Sequence, residues 1–142
     1  MSTTESLATS ATQLDGSPCV IEFALDGSAL RDLAPEIHRQ RLVIEGIPAA
    51  PIDAAAIVAY LKGLSDVCGM LTLIDPITHR SDRYGWAGWI HWETSGAHFY
   101  AWESPVLFFS VDIYTCKRFD PMAAIAHTER SFRAAQIVAK EF

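Results

Sequence analysis

Two helical segments enclose a long run of strand-forming residues, and few folds accommodate this order. The run covers residues 86–114, where β-branched and aromatic side chains are frequent and Thr94-Ser95-Gly96 provides a turn. Helices that flank several sequential strands bury their apolar faces most simply against one side of an antiparallel sheet. The sequence therefore predicts an α+β fold, a two-layer sandwich with an antiparallel sheet of four to six strands and two main helices on one face.

Both helices begin at residues that suit a helix start. Asp53 can cap the first helix, and Gly69 suits its end in a left-handed conformation. Asp120 and Pro121 predict the start of the second helix, which we expect to extend from Met122 to about Lys140. The side chains of the first helix that share one apolar face are Ile57, Tyr60, Leu61 and Leu64.

The remaining elements are shorter. Cys19–Leu25 and Leu42–Ile47 are predicted strands, and residues 28–40 between them predict one or two helical turns. Met70–Ile74 predicts another strand, and the polar segment Asp75–Gly85 predicts a loop. The length of 142 residues fits one domain. We expect a disordered tail at 1–17, which is rich in Ser, Thr and Ala, and a single domain at 18–142.

Composition excludes several classes of partner. The chain carries 17 acidic and 11 basic residues, a net charge of -6, which argues against nucleic acid or an anionic membrane surface as a partner. It has no apolar stretch of membrane-spanning length and no signal-peptide pattern at its start. Three cysteines without such a signal favour free thiols and a cytoplasmic location.

One segment carries a family resemblance. VDIYTCKRFDP, Val111–Pro121, resembles the end of the active-site strand in prokaryotic S-adenosylmethionine decarboxylases, where Asp-Val-(Tyr/Phe)-Thr-Cys precedes a turn and a Pro-initiated helix. Gly85–Gly88 is similar to the family's Gly-x-Ser-Gly motif. Thr94–Pro105 stands for its Glu-Ser-His-Leu-x-Ile-His-x-Trp-Pro-Glu segment, and Arg41–Gly46 is similar to its opening strand. The resemblance covers residues 40–135.

The resemblance implies a pyruvoyl cofactor made by autocatalytic cleavage of the chain at a serine. Such a group acts as an electron sink for decarboxylation of S-adenosylmethionine, in polyamine (spermidine) biosynthesis. Without gaps from Gly85, Ser95 takes the position of that serine, Thr94 replaces the Glu, and Tyr100 replaces the family's assisting His. The resemblance makes Ser95 the cofactor source and Cys116 the proton donor, a role that suits a thiol of tunable pKa.

A second register remains open. Aligning His98 on the first His of the family motif places Ala97 at the serine, and no pyruvoyl group forms in that case. The register through Ser95 needs an insertion only after Trp102, so it is preferred. Tyr100 and His98 are the remaining catalytic candidates. Tyr100 could relay a proton in place of the missing His, and His98 could take part in the different chemistry of a relative without pyruvoyl.

Aromatic and acidic residues supply candidates for substrate binding. A flat adenine ring stacks well on aromatics, although tryptophans equally suit packing in a sheet or a homodimer interface, which the family forms. Glu45 corresponds to a family acid near the substrate, although Glu22 lies in a similar local context. His79, His91 and His98 lack the spacing of a metal motif, so no metal is expected. The aromatic candidates are Trp86, Trp89, Phe99 and Trp102.

Three functions therefore remain open from the sequence. The chain is a pyruvoyl-dependent decarboxylase of S-adenosylmethionine or a related amino acid, or a repurposed relative that binds S-adenosylmethionine and does other chemistry without pyruvoyl. The third is an inactive paralogue that regulates a partner. The first two require a small-molecule ligand, and the third requires ligand binding or a partner without turnover. Only the first requires that the chain be cut at a serine.

Overall fold

A computed structural model describes residues 11–12, 18–19, 22–23 and 31–142 of the chain. It divides the chain into two compact units, Met1–Glu36 and Ile37–Phe142. The predicted boundary between residues 17 and 18 differs from this division and stays a prediction.

The N-terminal unit contains a short antiparallel pair of strands. β1 (Ala11–Thr12) pairs with β2 (Pro18–Cys19), so two residues of the segment expected to be a disordered tail take part in a strand pair. Of the predicted strand Cys19–Leu25, only Cys19 is in a strand among the described residues. Glu22 and Phe23 are exposed and have no regular structure, and the other residues of that prediction lie outside the described ones. The side chain of Arg31 forms an ion pair with Glu22.

The C-terminal unit is built on a six-stranded antiparallel sheet, which confirms the predicted fold class. The strands are β3 (Gln40–Ile47), β4 (Thr72–Ser81), β5 (Gly85–Trp92), β6 (Ser95–Trp102), β7 (Phe108–Thr115) and β8 (Gln136–Glu141). The order across the sheet is β4-β5-β6-β7-β3-β8, so consecutive hairpins fill one side and β3 lies between β7 and β8.

The first helix, α1 (Ala54–Cys68), has the caps and the buried face that the sequence predicts. The Asp53 side chain accepts a hydrogen bond from the backbone N–H of Ala56 at 2.8 Å, and Gly69 ends the helix with φ 66°. The buried residues of α1 include all four predicted side chains, Ile57, Tyr60, Leu61 and Leu64.

The second helix begins as predicted but is shorter. α2 (Pro121–Phe132) starts at the Asp120 cap and ends at Arg133, which adopts a left-handed conformation with φ 45°. The prediction of a helix to Lys140 is wrong, because 136–141 form β8 at the sheet edge. Pairing with β3 supplies hydrogen-bond partners for the backbone of residues 136–141 and brings Ile137 against the core. A contact between distant segments therefore makes these residues a strand.

Two other predictions are wrong, the first of them for a similar reason. Most of the predicted loop Asp75–Gly85 is strand, because 75–81 continue β4 and pair with β5. The pairing is irregular between Ile74 and Ile77, and an edge strand tolerates Pro76 at such a bulge. The helical turns predicted within 28–40 are absent from 31–39, where the described backbone contains only turns and bends.

The sheet has two faces with different roles. Its inner face packs against both helices and forms one apolar core. Side chains of alternate residues point to the opposite, outer face, where polar and aromatic groups stand half-buried or exposed. Inner-face residues of the three central hairpin strands are Ile90, Trp92, Ala97, Phe99, Ala101, Phe109, Val111 and Ile113.

Candidate functional site

The connection between β5 and β6 holds a strained serine. Trp92 pairs with Ser95, so Glu93 and Thr94 alone link the two strands. Ser95 adopts φ 114°, a value that a residue with a Cβ atom rarely takes. Strain of this kind persists only where surrounding contacts impose it, and it is frequent at functional sites.

Cys116 lies beside this turn. Its backbone N–H donates to the carbonyl oxygen of Thr94 at 3.0 Å, the carbonyl that precedes Ser95. The thiol is free and exposed. The segment after β7 is held in place because the Thr115 hydroxyl donates to the carbonyl of Lys117 at 2.6 Å. The Lys117 ammonium donates to the carbonyl of Gly69 at 2.6 Å, where α1 ends.

A groove of about 770 Å³ runs along the sheet next to Ser95. Side chains from four strands border it, and several belong to the outer face of the sheet. Gly96 contributes no side chain, because a Cβ atom there would lie 2.3 Å from the carbonyl oxygen of Ile90. The groove is lined by Arg41, Trp89, Ile90, His91, Ser95, Gly96, Ala97, His98, Asp112 and Tyr114.

An ion pair is fixed at one side of the groove. Arg41 donates to both carboxylate oxygens of Asp112, at 3.0 and 2.8 Å. This hydrogen bonding, with the charge of Asp112, raises the pKa of Arg41. The guanidinium also lies 4.8 Å from the centre of the Phe142 ring. Arg41 is therefore held on two sides and fixes the orientation of the carboxylate.

Two further polar side chains share the outer face of β6. His98 Nδ1 and the Tyr100 hydroxyl are 3.4 Å apart, and His98 lies opposite Asp112 in the strand register. Tyr100 stands five positions beyond Ser95 on the same strand, which corresponds to about 17 Å at about 3.3 Å per residue. Tyr100 therefore does not reach Ser95 within one chain.

Comparison with known proteins shows to which family the chain belongs. The sequence profile of the S-adenosylmethionine decarboxylase family matches residues 44–142, well over half of the chain. The chain belongs to the S-adenosylmethionine decarboxylase family. The resemblance seen in the sequence is thereby confirmed.

A solved structure has the same fold. The adenosylmethionine decarboxylase from Aquifex aeolicus superposes with a TM-score of 0.61 at 15% identity, over 75% of this chain and 89% of that chain. A comparison with curated proteins found no match. Family membership and fold are therefore established for this decarboxylase-like chain, and the fold by itself does not fix its chemistry.

The structure separates the predicted ligand-binding residues of this family member into two groups. Trp89 lines the groove, and Glu45 is half-buried on the outer face beside Ser110. Trp102 also lies on the outer face, 5.9 Å from the Tyr100 ring and 5.3 Å from the Phe108 ring.

Two of the aromatic candidates belong to the core instead. Phe99 is completely buried between the sheet and the helices, 5.2 Å from the Tyr60 ring and 5.1 Å from the Phe132 ring. Trp86 is partly buried against the same core. Phe99 therefore leaves the set of ligand-binding candidates, whereas Trp86 borders a smaller cavity of about 140 Å³ together with Tyr100 and Trp102 and stays a prediction.

The groove also contains residues that the sequence did not indicate as ligand-binding groups. Arg41, His91, Asp112 and Tyr114 lie on three different strands and meet only because of the strand order. The sequence signal that could have indicated them is the alternation of apolar and polar residues along each strand, since each of the four adjoins a buried residue. Knowledge of the pairing was needed to bring them together.

Other titratable groups of the family member lie elsewhere. Cys68 is buried in the core, and loss of hydration raises its pKa to about 12, so its thiol stays protonated at neutral pH. Within residues 11–12, 18–19, 22–23 and 31–142, no three His, Cys, Asp or Glu side chains come together as a metal site. Across the same residues, neither helix has the length and apolarity that a membrane crossing requires.

Proposed function

We propose that this chain is a cytoplasmic, pyruvoyl-dependent decarboxylase of S-adenosylmethionine or a related amino acid, and that it makes its cofactor by cutting the Thr94–Ser95 bond. The observation that carries the proposal is the hydrogen bond from the Cys116 N–H to the Thr94 carbonyl oxygen. Self-cleavage requires attack of a serine hydroxyl on the preceding carbonyl, and a backbone N–H aimed at that oxygen stabilises the negative charge that develops there.

The local backbone supports Ser95 as the cofactor source. The positive φ of Ser95 is relieved when the chain is cut before it, so the strain favours cleavage at this bond. Ala97, the alternative position, has a 1% exposed side chain on the inner face of β6. A group formed there would lie among the core residues, with little room for a substrate.

The surroundings of Ser95 also suit a bound substrate. When present, a pyruvoyl group at residue 95 supplies an electrophilic carbonyl that captures a substrate amine and withdraws electrons during decarboxylation. Trp89 and Tyr114 offer aromatic surface in the adjoining groove for a flat ring. The exposed thiol of Cys116, fixed beside the turn, can deliver a proton to the carbon that loses carbon dioxide.

The intact mass of the purified, denatured protein tests this proposal. We expect two fragments by electrospray mass spectrometry, residues 1–94 and residues 95–142, with a pyruvoyl group in place of Ser95 on the second. Decarboxylation of S-adenosylmethionine by the same sample is the second expected result. A single full-length mass would contradict the proposal, and turnover by the uncut chain would favour the repurposed relative.

We further propose that the chain works as a homodimer through the outer face of the sheet. Tyr100, Trp102 and Phe108 form an aromatic cluster there, and Tyr100 is 42% exposed. A second copy that covers these rings would bury apolar area and bring its own position 100 towards a neighbouring groove. Sedimentation equilibrium should give twice the chain mass, and Trp102→Arg should shift it to the monomer, whereas Val67→Arg on the exposed side of α1 should not.

A further inference from the structure

The segment that ends α1 contacts the turn between β5 and β6. Gly69 takes its left-handed conformation after the last helical turn, and its N–H donates to the carbonyl of Asp66 at 3.1 Å. The N–H of Met70 donates to the carbonyl of Ser65 at 2.9 Å. Such a pair of hydrogen bonds reverses the chain and turns the residue after the glycine back onto the helix. Met70 is accordingly buried in the core, with 8% of its surface exposed.

The sulfur of Met70 holds the side chain of Thr94. The Thr94 hydroxyl donates to Met70 Sδ at 3.2 Å. A thioether sulfur is a weak acceptor, but close packing in the core fixes this one, so the hydroxyl meets an acceptor in a constant position. At the neighbouring residues, the N–H of Glu93 donates to the carbonyl of Leu71 at 2.9 Å. Both residues of the turn are therefore bonded to the segment that follows α1.

The carbonyl of Thr94 is held from a second side. It accepts the hydrogen bond from the Cys116 N–H at 3.0 Å, and the ammonium of the adjacent Lys117 donates to the carbonyl of Gly69 at 2.6 Å. The end of α1 thus contacts the hydroxyl of Thr94 through Met70, and through Lys117 it fixes the segment whose N–H reaches the Thr94 carbonyl. Side-chain and main-chain contacts together orient the acyl half of the Thr94–Ser95 bond.

The sheet fixes the other half of that bond. Ser95 has a strained φ of 114°, and pairing with Trp92 on β5 and with Thr115 on β7 determines where its backbone lies. A strained conformation persists only where the surrounding contacts impose it. Rotation of the Thr94 backbone would relax this strain before the bond is cut, and the hydrogen bonds of Thr94 oppose that rotation.

We propose that Met70 is a positioning residue for self-cleavage at Ser95. The inference rests on the proposed function, because it concerns the step that makes the cofactor. In that step the Ser95 oxygen replaces the Ser95 nitrogen on the carbonyl carbon of Thr94, and the hydroxyl proton ends on the released nitrogen. Met70 exchanges neither an atom nor a proton. Its sulfur holds Thr94, so that the carbonyl stays on the Cys116 N–H and the strain stays at the bond that is cut.

The rate at which the two fragments appear after cell-free synthesis tests this role at Thr94. Thr94→Val keeps the branched shape and removes the hydroxyl, whereas Thr94→Ser keeps the hydroxyl and removes the methyl group. We expect Thr94→Val to cleave about 3- to 10-fold more slowly than the wild type, the effect of one lost hydrogen bond on a rate. Thr94→Ser should cleave at close to the wild-type rate. A role of Thr94 in packing alone would reverse the order of the two variants.

Substitution of Met70 connects this effect with the sulfur. Met70→Leu retains an apolar side chain of similar size without the acceptor, and we expect it to lose as much cleavage rate as Thr94→Val. Adding Thr94→Val to Met70→Leu should slow cleavage no further, because the two side chains act through one hydrogen bond. Met122→Leu removes a methionine sulfur that is 66% exposed on α2 and takes no part in these contacts, so it should cleave like the wild type.

The outcomes separate this inference from the proposed function. A wild type that is cut at Thr94–Ser95, together with a Met70→Leu variant that is cut at the same rate, would overturn the positioning role and leave the decarboxylase proposal standing. Losses of the two single variants that multiply in the double variant would overturn it as well, because the two side chains would then act independently. An uncut wild type would contradict both proposals. Circular dichroism of each variant identifies a loss of fold, and the order of Thr94→Val and Thr94→Ser then decides.

Discussion

Replacement of Ser95 by alanine is expected to leave the chain uncut and to abolish decarboxylation. The substitution removes only the hydroxyl oxygen that attacks the Thr94 carbonyl, and it keeps the Cβ atom and the hydrogen bond from Cys116. Without the hydroxyl no ester forms, so no pyruvoyl group is made. We expect Ser95→Ala to give one full-length mass and to release no labelled carbon dioxide from carboxyl-labelled S-adenosylmethionine.

A second variant tests the position of the cofactor. In the Ser95→Ala background, Ala97→Ser supplies a hydroxyl at the position favoured by the alternative register. We expect it to remain uncut, because the side chain of residue 97 is buried on the inner face and the Cys116 N–H contacts the carbonyl of Thr94, not that of Gly96. Cleavage of Ser95→Ala itself would exclude Ser95, and cleavage before residue 97 in the double variant would establish the other register.

The parts of the fold that the sequence predicted are those whose signals are local. Asp53 and Gly69 mark the ends of α1 because cap residues interact with backbone groups a few positions away. The turn between β5 and β6 is similarly marked by Thr94-Ser95-Gly96. The preferred cleavage position rests on the ungapped register from Gly85 and stays a prediction.

The parts that the sequence missed depend on pairing between distant segments. Residues 136–141 have helical neighbours, yet they form β8 because β3 offers an open edge almost 100 positions earlier. Residues 75–81 look like a loop, yet they extend β4 because β5 continues alongside. The helix and strand propensities of these residues alone do not predict which distant segments pair.

The candidate site shows the same limit at the level of single side chains. Phe99 and Trp89 are both aromatic, and the sequence indicates both as surfaces for a flat ligand. One is buried in the core and the other lines the groove, because they point to opposite faces of the sheet. Arg41 and Asp112 likewise lie far apart in the sequence, and only the pairing of β3 with β7 places them side by side at the groove.

Cys116 gives the second large expected effect, because its backbone and its side chain have separable roles. The N–H contacts the carbonyl at which the chain is cut, whereas the thiol is the proposed proton donor to the substrate carbon. Cys116→Ala retains the N–H and removes the thiol. We expect this variant to cleave itself normally and to lose about 10²–10⁴-fold in kcat, the usual contribution of a positioned acid.

Proline at the same position provides the complementary change. Cys116→Pro lacks the N–H, so the charge on the Thr94 oxygen loses a donor and cleavage should slow by about 10²–10³-fold. Circular dichroism should show that the variant is folded, and fragment masses over time give the rate. If Cys116→Ala fails to cleave, the thiol takes part in processing. If Cys116→Ala cleaves itself and retains full kcat, another group delivers the proton. The next residue to replace is then the exposed Tyr114, which lines the groove and pairs with Gly96, the neighbour of Ser95.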